Sequence, residues 1–198
     1  MPYTKEAFGQ MPGGEAVHKY TLENKNGLTA GFLDLGAVWH SMLVPDREGK
    51  FADVVLGYDS PEHYLASDAH LGEIIGRNAN RIGGGRFELN GREYALTVNN
   101  GPNNLHSGND FYRNRLWEAR TWEEADESSV CFTLESPDGD QGFPGNLKIS
   151  VTYTLNDQDE LHIRYQGVSD ADTIMNMTNH AYFNLAGHQS GDAMGQQV

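Results

Sequence analysis

Leu147-Lys148-Ile149-Ser150-Val151-Thr152-Tyr153-Thr154-Leu155 is the cleanest alternating stretch in the sequence, with five apolar residues on one face and four polar ones on the other. Period two is the signature of a half-buried strand. Downstream, Leu161-His162-Ile163-Arg164-Tyr165 repeats the pattern and places His162 and Arg164 outward, so His162 reads as a solvated residue. Upstream, the alternation runs from Trp117 through Val130-Cys131-Phe132-Thr133-Leu134, where Cys131 reads as a packed or half-packed thiol. Between these strands, Ser136-Pro137-Asp138-Gly139-Asp140-Gln141-Gly142-Phe143-Pro144-Gly145 is turn-rich, and Asp138 and Asp140 read as turn residues rather than an acid and base pair.

The first half of the chain continues the theme. Val17–Leu22 and Leu28–Leu35 flank Asn24-Lys25-Asn26-Gly27, a turn whose Asn-Gly accepts positive φ. Ala37–Val44 and the short Asp53–Gly57 predict further strands. Phe87-Glu88-Leu89 and Tyr94–Val98 around Asn90-Gly91 form the clearest hairpin. Ser60-Pro61-Glu62-His63 is the one helix start, with a capping Ser, Pro at the first helical position and Glu at the positive dipole end. His63 and His70 nearby read as surface or packing residues. Many short strands joined by tight turns imply an all-β antiparallel sandwich or barrel-like body.

Composition narrows the partners. The 198 residues suit one domain, 1–198, with a substantial core. Asp and Glu number 28 against 14 Lys and Arg, a formal charge of −14 that repels phosphate backbones and anionic headgroups. Nucleic-acid and membrane partners are therefore not expected, whereas a neutral small molecule feels little of that field. A single cysteine forms no internal disulfide, and the N-terminus lacks the apolar run of a signal peptide, so the cytoplasm is the expected compartment.

Two polar clusters stand apart from the strands. Gly76–Gly108 is crowded with Arg, Asn and Gly and ends in Asn99-Asn100-Gly101-Pro102-Asn103-Asn104-Leu105-His106, too polar and turn-prone for core. Asn176-Met177-Thr178-Asn179-His180-Ala181-Tyr182-Phe183-Asn184 is the second. If the fold joins them, they make a hydroxyl-reading cleft with two histidines, His180 having amide and hydroxyl neighbours able to fix its tautomer. Gly83-Gly84-Gly85-Arg86 lacks the Lys-Ser/Thr of a phosphate loop, and no CxxC, HExxH or His-x-His supports a metal site. Ser107 lacks the context of a hydrolase nucleophile.

Gly76-Arg77-Asn78-Ala79-Asn80-Arg81-Ile82, Asn99–His106 and Thr178-Asn179-His180-Ala181-Tyr182-Phe183-Asn184-Leu185 resemble the signatures of the aldose 1-epimerase (galactose mutarotase) family, in the same order and at its usual separations: His106 lies 25 residues after Arg81, and His180 lies 74 after His106. The resemblance implies the family's large distorted antiparallel β-sandwich, with a sugar cleft across one sheet. It further implies an isomerase that interconverts α and β anomers of free aldohexoses such as galactose or glucose, without a cofactor. His180 takes the general-acid position, and His106 the second histidine near the ring oxygen. Asn80 and Arg81 match the pair that grips sugar hydroxyls, and Tyr182 is a sugar contact or a buried aromatic. Arg77 is either a further contact or an ion-pairing neighbour.

The family's base, a glutamate, and a hydroxyl-binding aspartate lie in its later half. Gly187–Val198 resembles an internal family segment, with Gln196-Gln197-Val198 opening a strand, so the chain reads as an N-terminal portion expected to be inactive by itself. Glu73 and Glu123 have no surroundings that match the base. The alternatives are a hexose-6-phosphate 1-epimerase and a non-catalytic carbohydrate-binding module on the same scaffold. Oligomeric state is not readable from the sequence.

Overall fold

The computed structural model describes residues 3–197. Five strands, β1 (Tyr3–Gln10), β2 (Ala16–Glu23), β3 (Thr29–Leu33), β4 (Trp39–Pro45) and β5 (Phe51–Asp53), form one antiparallel sheet in sequential order. Helix α1 (Pro61–Ala66) follows, then the short strands β6 (Ile74–Ile75) and β7 (Arg81–Ile82). β8 (Arg86–Leu89) pairs with β9 (Arg92–Ala95), and β10 (Asn104–Leu105) pairs back onto β7. A second antiparallel sheet runs β11 (Glu118–Glu123), β12 (Glu127–Ser136), β13 (Leu147–Asn156), β14 (Leu161–Ser169), and β15 (Thr178–Asn179) pairs with β6.

The alternation in β13 explains the architecture. Its Leu147, Ile149, Val151, Tyr153 and Leu155 are buried, and they meet the inward residues of the first sheet in one apolar cluster. Tyr153 stacks on Phe32 of β3 with ring centres 4.2 Å apart, and Tyr20 of β2 meets Phe132 of β12 edge-on at 5.7 Å. Each fully buried side chain of this size contributes roughly 1.5–3 kcal/mol by leaving water. Two antiparallel sheets facing across such a layer make a β-sandwich.

Local signals hold the strands in register. In the β2–β3 turn, Asn24 Oδ1 accepts from the amides of Asn26 and Leu28, both at 3.0 Å, while Gly27 supplies φ +86°. Asn90 and Gly91 carry φ of +54° and +73° between β8 and β9, as a hairpin turn of mirror-image type requires. Ser60 caps α1 by accepting from the amide of His63.

Several expectations need correction. β4 begins at Trp39 rather than Ala37, because Ala37 takes a left-handed turn at φ +48°. The short strand ends at Asp53 instead of starting there: Asp53 Oδ1 accepts from the amides of Met42 and Val55 and closes the ladder. β9 stops at Ala95, since the Leu96 amide turns to the carbonyl of Gly85. β1 carried no apolar alternation and was not anticipated; it is an exposed edge strand held by its backbone pairing to β2. Gln196 and Gln197 form no strand, and Val198, like Met1 and Pro2, lies outside the described residues. No helix among the described residues is long and apolar enough to cross a membrane.

Candidate functional site

The two short ladders bring the polar clusters together. β15 lies on β6 with Thr178 opposite Ile75, and the pairing runs on through His180, whose amide donates to the Glu73 carbonyl at 2.9 Å. The Gly72 amide donates to the His180 carbonyl at 3.1 Å, so the segment from 72 to 75 grips both sides of that peptide. β7 lies on β10 with Arg81 opposite Leu105, and the His106 amide donates to the Asn80 carbonyl at 2.9 Å. Between the ladders, the Asn176 amide donates to the Arg77 carbonyl and the Ala79 amide to the Asn176 carbonyl.

The result is an open hollow of about 530 Å³ lined by Ala79, Asn80, Arg81, Leu105, His106, Thr178, Asn179, His180, Ala181 and Tyr182. The His106 and His180 rings are 5.3 Å apart and nearly perpendicular, and Tyr182, exposed, lies 5.2 Å from His180. Asn80 and His106 are both left-handed, at φ +61° and +54°. Non-glycine residues adopt that region at a cost, and such positions concentrate at functional sites.

Hydrogen bonds set what each group can do. His106 Nδ1 accepts from the Asn80 amide at 3.0 Å, which places the neutral ring's proton on Nε2. Burial pushes His106 down to about 4, with smaller electrostatic contributions from the neighbouring His70, His180 and Arg81. At neutral pH it is an uncharged donor. Arg81 Nε donates to Asn100 Oδ1 at 3.0 Å and Nη1 to Asn80 Oδ1 at 3.3 Å, which presents a fixed guanidinium beside an amide. Arg81 is the one permanent cation among the lining residues, and none of them is a carboxylate. Among the described residues, no group of three or more His, Cys, Asp or Glu could hold a metal ion.

Other residues singled out in the sequence have structural partners, some as expected and some not. Arg77 is fully buried and, among the described residues, pairs with no carboxylate: its guanidinium donates to the carbonyls of Ser136, Pro137, Pro144 and Gly145 and to the hydroxyls of Ser136 and Thr173. It pins the loop after β12 and cannot reach the hollow. Asn179 does not fix the His180 tautomer, because its amide donates to the Gly72 carbonyl and the Tyr153 hydroxyl while its oxygen accepts from the Ala181 amide. Asp138 and Asp140 are turn residues, the first accepting from the Gly145 amide and the second paired with Arg115. Ser107 is locked in a reciprocal pair with the Asn78 backbone.

Of the two histidines read as surface or packing residues, His63 is at the surface beside Asp59 and His70 is packed. Its ring lies 5.2 Å from that of His106 and 5.5 Å from that of His180, and its Nδ1 meets the buried Glu73 carboxylate at 2.5 Å. The one sequence signal for it is a His and a Glu three residues apart, just upstream of the Gly76-Arg77 segment.

Known proteins share this chain's sequence pattern and fold. A family model described as aldose 1-epimerase matches residues 18–198. The chain is 41% identical to galactose mutarotase of Rattus norvegicus over 196 residues, covering 98% of this chain and 56% of the relative. It is 43% identical to aldose 1-epimerase of Haemophilus influenzae over 180 residues, covering 91% and 51%. The crystal structure of galactose 1-epimerase from Lactobacillus acidophilus superimposes with a TM-score of 0.83 at 31% identity, over 93% of this chain and 53% of that one. The chain therefore spans about half the length of the curated relatives it matches. With the family model and the sandwich both shared along nearly all of its length, this chain belongs to the aldose 1-epimerase family.

Proposed function

We propose that the protein interconverts the α and β anomers of free aldohexoses, galactose or glucose, by opening and reclosing the sugar ring. The observation that carries this reading is the juxtaposition of two perpendicular imidazoles, 5.3 Å apart, with the Asn80–Arg81 pair in one open hollow. Ring opening needs a proton delivered to the ring oxygen while a base takes the proton of the C1 hydroxyl. Rotation about C1–C2 and reversal of both transfers then give the other anomer.

His180 is the general acid. An imidazole suits this work because its ordinary pKa of ~6.5 keeps both protonation forms accessible near neutrality. His106, neutral with its proton on Nε2, donates a hydrogen bond near the ring oxygen. Arg81 and Asn80 hold sugar hydroxyls, since a planar guanidinium offers donors in fixed directions. Tyr182 offers an exposed aromatic face to the sugar. No lining residue is a carboxylate, and the base is assigned to the half of the relatives' length that this chain does not span. A single permanent cation in the lining favours a neutral sugar over a sugar phosphate.

Polarimetry on freshly dissolved α-galactose with the full-length protein tests the reading. Acceleration over buffer supports it, and a preference for glucose 6-phosphate would move it to a phosphorylated hexose. Sugar binding without acceleration would leave a carbohydrate-binding module.

A further inference from the structure

Behind the hollow, and outside its lining, sits a third imidazole. His70 is boxed by four groups: His106 edge-on at 5.2 Å, His180 at 5.5 Å, Phe111 edge-on at 5.1 Å, and the Glu73 carboxylate on its Nδ1. Glu73 is 2% exposed, and its other oxygen lies 3.8 Å from Nη1 of Arg113. Arg113 is itself fixed by donating to the Ser67 carbonyl and by lying over the Phe111 ring at 5.0 Å. A buried carboxylate is costly unless paired and hydrogen-bonded, and here both conditions are met.

Glu73 also does a second thing. Its backbone carbonyl accepts the His180 amide, so one residue holds His180 through its main chain and His70 through its side chain. His70 in turn touches the rings of both site histidines. His106 has its own tether through Nδ1, but among the described residues no hydrogen bond reaches the ring of His180, and its orientation depends on the rings around it.

We propose that His70, anchored by Glu73, is the positioning residue that holds the His106 and His180 imidazoles in their working relation. This rests on the proposed acid role of His180. His70 touches no substrate; it supplies a rigid ring that keeps two proton-handling rings from swinging. A displacement of about 1 Å at reacting groups can cost ~10²-fold in rate, so a carboxylate-anchored spacer has a measurable effect on turnover.

The test measures kcat and KM separately for mutarotation by the full-length protein, together with the ¹⁵N ring resonances of His106 and His180. His70→Ala is expected to lower kcat by about 10- to 100-fold with KM within about twofold. His70→Phe, which keeps an aromatic ring of somewhat larger volume but has no Nδ1–H for Glu73, is expected to remain impaired and to shift both ring resonances. Glu73→Gln keeps an acceptor for that N–H but loses the charge facing Arg113, and is expected to lower kcat less than His70→Ala does. Wild-type kcat in His70→Phe would reduce His70 to packing, and a rise in KM matching the fall in kcat would make it a sugar contact; either overturns the proposal. If the wild-type protein does not act on sugar, the functional reading fails separately. The ring resonances then decide the positioning, and unchanged resonances in His70→Phe overturn it.

Discussion

At the scale of single residues, His180 and Arg81 are expected to fail in different ways when changed. His180→Gln in the full-length protein should lower kcat by ~10²-fold or more, the usual scale for losing a general acid, with little effect on KM. Near-normal turnover would remove His180 from that role. Arg81→Ala should instead raise KM by roughly tenfold or more, the scale of losing a charged hydrogen bond to substrate. Steady-state polarimetry separates the two. Arg77, three positions before Asn80, is expected to behave as neither. Its guanidinium satisfies four backbone carbonyls in the interior, so Arg77→Ala should destabilise the fold by ~3 kcal/mol or more in urea unfolding. A stable Arg77→Ala protein with altered sugar affinity would contradict its structural assignment.

At the scale of elements, the site depends on the tight passage before β6. Gly72 has φ +66°, and a Cβ there would stand 2.1 Å from the Trp39 carbonyl oxygen. Its amide holds the His180 carbonyl, and its own carbonyl receives the Trp39 amide and the Asn179 side chain. Gly72→Ala is therefore expected to cost ~2 kcal/mol or more and to lower kcat through displacement of His180. Urea unfolding and polarimetry on the same sample check both effects. Elements also show how far the sequence could be read. The alternation of β13 and the Asn-Gly turns were legible because one local pattern dictates each. β1 was not, since a polar edge strand is stabilised by its backbone ladder rather than by a buried face. The segments that resemble the family were legible by type and spacing. His70 was not, because it has a left-handed backbone at φ +57° in a loop and gains its neighbours only through the β6–β15 and β7–β10 pairings.

At the scale of the whole molecule, protonation couples the histidines to stability. Burial pushes His40 down to about 4, with Lys19 adding to the shift, and His106 lies at about 4 as well. The unfolded chain binds protons at these groups near the ordinary ~6.5, so it takes up more protons than the folded chain between about pH 6.5 and 4. Their contribution is thus fully present above ~6.5 and is lost as the pH falls through about 4. The midpoint of urea unfolding should decline across that window, and His40→Gln should flatten the decline. A midpoint independent of pH there would contradict the assignment of both rings as neutral in the folded state. The acidic balance, at a formal −14, disfavours an anionic ligand.

The most direct measurement is a crystal structure of the full-length protein with galactose bound. The account expects the sugar in the hollow between β7 and β15, its ring oxygen within hydrogen-bonding distance of His180 or His106 and its hydroxyls on Arg81 and Asn80. A sugar seated elsewhere, or one held there with its ring oxygen turned away from both imidazoles, would contradict it.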